Sequence, residues 1–472
     1  MDENKLKRSS WFERNSKKAI VIIFCVFFLV SLIIIEFFLR FFLPFVGGYT
    51  IGHLSSPNAK LYGWGYNPHQ RVRIMNPDTR VVYGDKVNSR GWRDKERSFL
   101  NKNNSFRILV LGDSVTFGAT VPGDKIYTRI LENKLMTEGF NVEVINISYG
   151  GWNTEQELEA LKNEGVLYKP NLIICQFCDN DLGGLYCSGG KINYDDINSL
   201  AVLPFYYGFD KDSNLMKYRN EFYYNVYLKY PRIRLKLIIG YSEILKRLYF
   251  VYLHNKMDAF NYKLHSTTYE VNFKNILRYR LAFKLSEEDI SVSQLRSYSN
   301  KSILFAELKR ILIININPID IEKALRIFEK RWFDEYWDET FFGGEQPDPD
   351  KCEWKLYFAL MKEFQKESKR YNADLAILSD NNVSFYNWDV YWGRKEASDR
   401  AKKNYLAVSD LINMFCLKNS IYFINSYYKV ERSRNDWHPN IEGNLAMANN
   451  IYRFLMEKYY YELENYRKNK NK

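Results

Sequence analysis

The chain contains five short, largely apolar segments, each followed by small or polar residues and separated by amphipathic helical patterns. Three of these segments cover 107–112, 141–148 and 171–178, and the other two cover 373–380 and 420–426. Apolar strands that alternate with helices predict a parallel sheet covered on both faces. We therefore predict an α/β fold, a flavodoxin-like three-layer α/β/α sandwich with a five-stranded parallel sheet.

The alternation is interrupted between the third and the fourth strand. Residues 188–350 are rich in aromatic and basic side chains and follow a mostly helical period, so we predict a large helical insertion there. The α/β domain then consists of a first part, 101–187, and a second part, 351–460. Residues 461–472 are predicted to be a basic tail.

Two positions mark predicted helix starts. Thr154 is followed three residues later by Glu157, which is the spacing of a capping box. Pro439 follows the last strand and is expected near the start of the final helix.

The N-terminal region predicts a membrane anchor. Residues 19–35 carry no charge, and the apolar character continues to Pro44, so the segment is long enough to cross a bilayer core of about 30 Å. The lysines and arginines before it indicate a cytoplasmic N-terminus. A cleavable signal peptide is the alternative, but no small-residue cleavage site closes the run. We predict a cytoplasmic tail over 1–18, an uncleaved transmembrane anchor over 19–44 and an irregular extracytoplasmic lead-in over 45–100.

The charge balance is basic, with 68 Lys and Arg against 56 Asp and Glu and a net charge of +12. These basic residues are scattered among acidic ones, so nucleic acid is not an expected partner. A positive surface favours contact with anionic lipid or glycan.

Of the six cysteines, Cys25 lies in the apolar N-terminal segment and Cys175 in a predicted buried strand. The other four show no paired metal-ligand spacing among themselves, and no metal or other cofactor is predicted. Cys178 and Cys187 could form a disulfide in an oxidising compartment, whereas unpaired thiols are the preferred interpretation.

The first strand ends in the sequence RILVLGDSVTFGAT, where Ser114 follows Gly112 and Asp113. The spacing fits neither a Walker phosphate loop nor a dinucleotide fingerprint. It also fails the nucleophile elbow of α/β-hydrolases, because Thr116 occupies the second glycine position. Ser114 is therefore either a helix cap or a catalytic nucleophile.

A serine nucleophile needs a base, and only one of the five histidines has a suitable setting. His438 lies in NDWHPN after the last strand, with Asp436 two residues before it. Asp436 could accept the Nδ1 proton of His438 and fix its tautomer.

Two further strand ends offer donors for an oxyanion. Gly151 follows the second strand, and Asn180 follows the third. Because the carboxyl ends of parallel strands meet at one edge of a sheet, we expect these groups and the Ser114 N–H to form an oxyanion hole.

This combination of motifs resembles the SGNH (GDSL) hydrolase family. The blocks that carry the resemblance are GDSVTFG (112–118), NISYGGWNT (146–154), CDND (178–181) and DWHPN (436–440). The resemblance implies Ser114 as nucleophile, His438 as base and Asp436 as the group that orients it. It also implies an oxyanion hole from Ser114, Gly151 and Asn180. The NSRGWRD stretch of the lead-in resembles the membrane-anchored bacterial branch of the family.

Two features depart from the family pattern. The commonest last block has Asp three residues before His, and Asn435 stands at that position here. The insertion has no counterpart, and it either covers the site and selects the substrate or serves as a docking module.

The resemblance and the residues together predict a membrane-anchored serine ester hydrolase or O-acyl(acetyl)transferase that forms an acyl-enzyme on an exported glycan. The alternatives are a lipid or lysophospholipid esterase and a non-catalytic scaffold of envelope polysaccharide assembly. The expected partners are an acylated glycan or lipid substrate, the membrane through the N-terminal helix and, for a transferase, a membrane acyl-donor protein. A metal-dependent phosphohydrolase is disfavoured because its His and Asp ligand clusters do not occur.

Overall fold

The computed structural model describes most of the two predicted parts of the α/β domain and only small pieces of the insertion. Described are residues 15–42, 56–178 without 77, 78 and 80, 180–183, 203–225, 347–379, 395–425, 430–431 and 438–470, with isolated positions between 228 and 248.

The strands are β1 (Arg71–Met75), β2 (Val82–Lys86), β3 (Phe106–Gly112), β4 (Val142–Ser148), β5 (Leu172–Phe177), β6 (Phe205–Phe209), β7 (Leu215–Arg219), β8 (Asp374–Ser379) and β9 (Tyr422–Ile424). The α-helices are α1 (Ser16–Phe42), α2 (Pro57–Tyr62), α3 (Ser114–Phe117), α4 (Tyr127–Thr137), α5 (Thr154–Asn163), α6 (Asn180–Gly183), α7 (Glu221–Asn225), α8 (Cys352–Arg370), α9 (Lys395–Asn419), α10 (Ile441–Lys458) and α11 (Tyr460–Lys470).

Five of these strands form one parallel sheet in the order β4-β3-β5-β8-β9. In chain order this is 2-1-3-4-5, the flavodoxin-like arrangement. The predicted five-stranded parallel sheet is therefore confirmed. The carboxyl ends of β3, β4 and β5 are neighbours, because β3 lies between the other two.

Both faces of the sheet are covered, and alternate side chains of each strand enter different clusters. Leu109 and Leu111 of β3 pack with α5, α8 and α9 on one face. Ile108 and Val110 pack with α4, α10 and α11 on the other. The strands need apolar residues at successive positions because both faces exclude water.

The N-terminal apolar segment forms α1, which is long and apolar enough by length and composition to cross a membrane. Its large side chains are exposed, Phe24 and Phe27 by 70% and 68%. A signal sequence would have the same length and composition as a membrane span.

The lead-in differs from its expected irregular form. It contains α2, whose cap is the Ser56 hydroxyl accepting from the Ala59 N–H, and an antiparallel hairpin of β1 and β2. Tyr62 and Trp92 are buried in the same cluster as β3 and α5. The lead-in is thus packed into the core of the α/β domain.

The described part of the insertion is not purely helical, since β6 and β7 form an antiparallel hairpin before α7. The rest of the predicted helical insertion lies outside the described residues. The predicted basic tail is also corrected: most of it forms α11, with Leu463 fully buried. The Tyr466 hydroxyl of this helix accepts a hydrogen bond from Asn171 Nδ2 at 2.9 Å.

The capping box of α5 lies one residue earlier than predicted. Asn153, not Thr154, is the N-cap, and it exchanges hydrogen bonds with Gln156. Asn and Thr both cap helices, but capping by Asn153 turns Glu157 into the buried face.

The structure decides between the two alternatives for Cys178. Cys178 is a buried reduced thiol, so the Cys178–Cys187 disulfide alternative is wrong. Cys352 is disulfide-bonded.

Candidate active site

Ser114 is the first residue of α3, directly after the carboxyl end of β3. The cap of this short helix is Asp113, whose carboxylate accepts from the Val115 N–H at 2.9 Å. The Ser114 hydroxyl also lies 3.2 Å from Asp113 Oδ2. Because Asp113 performs the capping, the half-buried Ser114 hydroxyl is available for another role.

Gly112 allows Thr116 to pack closely against the end of β3. A Cβ atom at Gly112 would lie 2.1 Å from Thr116 Oγ1. The Thr116 hydroxyl is held by the Tyr127 hydroxyl at 2.7 Å and by Gln176 Oε1 at 3.1 Å. Any larger residue at 112 would push α3, and Ser114 with it, away from the sheet.

The structure brings Ser114 and His438 into direct contact. His438 Nε2 lies 2.7 Å from Ser114 Oγ, which is a hydrogen-bond distance suited to proton transfer. The two residues are 324 positions apart along the chain and meet at the carboxyl edge of the sheet.

The position of His438 is fixed by the start of α10. The Asn440 side chain caps this helix by accepting from the Gly443 N–H at 2.9 Å. Asn444, one turn further, donates to the Pro439 carbonyl at 3.2 Å and accepts from the Tyr127 N–H at 3.0 Å. These contacts tie the loop of His438 to α4 and so to the face of the sheet that carries Ser114.

Asp436 lies outside the described residues. Its predicted role of orienting His438 remains a prediction.

Gly151 lies in the turn that follows β4. Its φ of +76° is in the left-handed region, where glycine is favoured. The turn begins beside Ser114, since β3 and β4 pair Gly112 with Ser148 and the Tyr149 N–H donates to the Gly112 carbonyl at 3.4 Å. Gly151 therefore lies at the same edge of the sheet as the candidate nucleophile.

Asn180 is the first residue of α6, just after β5, and its side chain is not among those described. The turn that carries it is closed by Asp181, whose Oδ2 accepts from the Cys178 N–H at 2.7 Å. Because β5 neighbours β3, the backbone of Asn180 reaches the same edge as Ser114. The three strand ends predicted to build the site are thus adjacent.

Two polar residues near the site were not predicted. Asn146 of β4 donates to the Thr116 carbonyl at 2.9 Å and accepts from the Ser148 hydroxyl at 2.5 Å. It therefore connects the second motif block to the nucleophile helix. A polar residue inside an otherwise apolar strand was the available sequence signal.

The second is Glu157, a fully buried carboxyl on α5. Burial raises the pKa of Glu157, and the nearby Asp113 adds to the rise. Its Oε2 atom accepts from the Cys175 thiol at 3.1 Å. The sequence pattern predicted a capping residue here, so the buried acid was missed.

Among the residues that the structure describes, no group of three or more His, Cys, Asp or Glu side chains is arranged to hold a metal ion.

No protein-family model matches this chain, and no curated protein matches it. Solved structures similar to it include a GDSL-like lipase from Bacteroides thetaiotaomicron, at 10% identity over 76% of this chain and 92% of the lipase, with a TM-score of 0.30. TesA matches at 9% identity over 74% of this chain and 97% of its own, also with a TM-score of 0.30. A catalytic mutant of the acetylxylan esterase Axe2 from Geobacillus stearothermophilus matches at 8% identity over 74% and 92%, with a TM-score of 0.28. Because these scores are low, the fold class rests on the strand order described above.

Proposed function

We propose that this protein is a serine ester hydrolase or O-acyltransferase of the SGNH type that works through a covalent acyl-enzyme. The observation that carries the proposal is the 2.7 Å contact of Ser114 Oγ with His438 Nε2 at the carboxyl edge of a parallel sheet. A nucleophile in contact with a base is the requirement for acyl transfer through serine.

In this proposal His438 Nε2 takes the hydroxyl proton of Ser114 while Oγ attacks the carbonyl carbon of an ester. The carbonyl π electrons move to oxygen, and the N–H groups of Ser114 and Gly151 with the Asn180 side chain stabilise the oxyanion. The carbonyl then re-forms, and the bond between the acyl carbon and the alcohol oxygen breaks as His438 gives the proton to that leaving oxygen. Asp436 would stabilise the imidazolium between these steps.

The acyl group on Ser114 can pass to two kinds of acceptor. Water gives a carboxylic acid and a deacylated substrate, whereas a sugar hydroxyl gives a new ester. Both reactions use the same residues, so the acceptor decides between hydrolase and transferase. We propose an O-acetylated exported glycan as the substrate, with a membrane acyl-donor protein as partner in the transferase case.

We further propose that α1 anchors the protein in the membrane with the α/β domain on the extracytoplasmic side. Glu36 of α1 accepts hydrogen bonds from the Ser242 hydroxyl at 2.9 Å and from the Ile244 N–H at 3.1 Å. Part of the insertion therefore contacts the anchor helix. This proximity to lipid favours a lysophospholipid as the second candidate substrate.

The test is labelling of the purified full-length protein in detergent with a fluorophosphonate, followed by hydrolysis of a short-chain aryl acetate. Labelling is expected for the wild type and not for Ser114→Ala, with His438→Ala labelled far more slowly. The absence of Ser114-dependent labelling together with the absence of hydrolysis would contradict the enzyme proposal. An acetylated glycan with and without a sugar acceptor, and a lysophospholipid, then separate the substrate classes.

A further inference from the structure

A buried arginine of the lead-in contacts the segment that follows Ser114. The Arg93 side chain is 1% exposed. It donates hydrogen bonds to three carbonyl oxygens of this segment, those of Phe117 (3.0 Å), Gly118 (2.6 Å) and Val121 (2.8 Å).

The short helix before these carbonyl groups needs tertiary support. The helix that carries Ser114 has only four residues, so its hydrogen bonds cannot hold it together without tertiary contacts. Its last residue is followed by Gly118 at φ +72°, which sends the chain back across the guanidinium of Arg93. Nε of Arg93 in turn donates to Asp85 of β2 at 2.7 Å. The guanidinium therefore connects the lead-in hairpin to the nucleophile turn.

A second lead-in residue contacts the loop that carries Gly150 and Gly151. Trp64 Nε1 donates to the Gly150 carbonyl at 3.1 Å. The indole ring also lies 4.0 Å from the point where a Cβ atom of Gly151 would stand. Trp64 is buried, so it limits the directions that the Gly151 N–H can take.

We propose that Arg93 and Trp64 are positioning residues, through which the lead-in sets the geometry of the nucleophile turn and of the oxyanion loop. The catalytic unit then begins at the lead-in and not at the first strand of the sheet. This inference rests on the proposed function for its effect on rate, but its structural part can be tested separately.

Arg107 provides a matched control. It lies near the start of β3, whereas Ser114 follows the end of that strand. Its side chain is also 1% exposed, and it donates to the carbonyl oxygens of Ser98, Phe99, Leu100 and Tyr168. It lies five residues before Gly112 in β3, about 17 Å from the site at the rise of a strand. Replacing either arginine removes the same kind of interaction, a planar guanidinium that holds several carbonyls.

The experiment compares Arg93→Lys, Trp64→Phe and Arg107→Lys in the full-length protein in detergent. We expect Arg93→Lys and Arg107→Lys to lower the unfolding temperature by similar amounts. Arg93→Lys should lower kcat for an aryl acetate and the rate of fluorophosphonate labelling about tenfold or more, with KM changed less than about twofold. Trp64→Phe keeps the aromatic bulk but loses the donor, and should lower kcat about threefold to tenfold. Arg107→Lys should keep the wild-type kcat.

Amide hydrogen exchange over residues 113–121 gives a readout independent of activity. Exchange there should rise in Arg93→Lys and stay unchanged in Arg107→Lys. Equal exchange and equal activity loss in the two arginine variants would overturn the proposal. A wild type that neither labels nor hydrolyses contradicts the proposed function alone, because the exchange comparison still decides whether Arg93 holds the turn.

Discussion

The Thr120 hydroxyl donates a hydrogen bond of 2.8 Å to the carbonyl oxygen of Pro439. Thr120 follows the candidate nucleophile by six residues, and Pro439 directly follows the candidate base. This one buried contact therefore joins the two loops that bring Ser114 and His438 together.

Replacement of Thr120 by valine tests that relationship, because valine has the same shape without the hydroxyl. We expect kcat for an aryl acetate to fall about fivefold to tenfold, the equivalent of one hydrogen bond. The Pro439 carbonyl keeps its bond from Asn444, so the unfolding temperature should fall by only a few degrees. Thr120→Ser is the control and should retain activity. A fully active Thr120→Val would show that α10 alone positions His438.

The Ser114 and His438 substitutions should not be additive. Removal of either group abolishes the same proton-coupled attack, so Ser114→Ala and His438→Ala are each expected to lower kcat roughly 10⁴-fold or more. The double variant should lie within about threefold of the single variants. Steady-state hydrolysis of the aryl acetate measures this, and multiplication of the two losses would mean that the residues act independently.

Gly151→Ala should reduce activity more than stability. The nearest atom to the added Cβ is in the Trp64 ring at 4.0 Å, an ordinary contact, but the φ of +76° costs an alanine about 1–2 kcal/mol. A small rotation that relieves this strain would turn the N–H away from the oxyanion. We expect kcat to fall on the order of 10²-fold, as for loss of one oxyanion donor.

Gly139→Ala is the matched control for that variant. Gly139 also has a left-handed φ, +89°, and the nearest atom to its added Cβ is Arg467 Nε at 3.4 Å. It lies between α4 and β4, at the opposite edge of the sheet from Ser114. Its alanine variant should lose similar stability, measured by urea unfolding, and keep wild-type kcat. Equal kcat for the two variants would argue against Gly151 as a donor.

The buried carboxyl of Glu155 should make stability fall as the pH rises. Burial raises the pKa of Glu155 to about 8 in the folded protein, whereas an unfolded glutamate titrates near 4.3. Between these values the folded state holds a proton that the unfolded state has lost. The stabilisation is therefore full below about pH 4 and disappears as the pH rises through 8, by at most about 1.4 kcal/mol per pH unit.

Glu155→Gln should remove that slope. Glutamine can still accept the Tyr207 N–H, which lies 2.7 Å from Glu155 Oε1. The free energy of unfolding, measured in urea at pH 6, 7 and 8, should decline less in the variant than in the wild type. Parallel curves for the two proteins would contradict a raised pKa.

Glu132→Gln is the control for that pH series. Burial opposes ionisation of Glu132, but Arg97 and Lys95 outweigh it and lower its pKa to about 2. Glu132 is then ionised in both states above pH 6. Its variant should differ from the wild type by a constant amount between pH 6 and 8.

The sheet and its carboxyl edge could be predicted because each central strand is buried on both faces. Such a strand appears in the sequence as a run of apolar residues. The predicted strand 107–112 agrees with β3 to within one residue at its start, whereas the predicted 420–426 shrinks to Tyr422–Ile424. The Ser114–His438 contact followed from the rule that parallel strands end at one edge. These inferences need only local patterns and sheet topology.

The lead-in could not be predicted in the same way. The structure of the lead-in depends on contacts with residues far along the chain, such as that of Trp64 with Gly150, 86 positions away. The α5 cap was misassigned for a related reason. Thr154 and Asn153 are both good caps, and Gln156 favours Asn153 by also donating to the Tyr62 carbonyl. Tertiary contacts of this kind leave no periodic signal in the sequence.

Ser114 and His438 are separated by 324 positions, and this distance has a consequence for biogenesis. A ribosome makes the nucleophile, its turn and the first three strands of the sheet long before it makes the base. Until His438 is made, Ser114 is a hydroxyl without its candidate base, which is a poor nucleophile. Under the proposed function, a chain stopped before His438 can therefore accumulate without acylating itself or its neighbours. Under the proposed function, reactivity begins only when the segment around His438 has docked against the sheet, so the order of synthesis delays the chemistry.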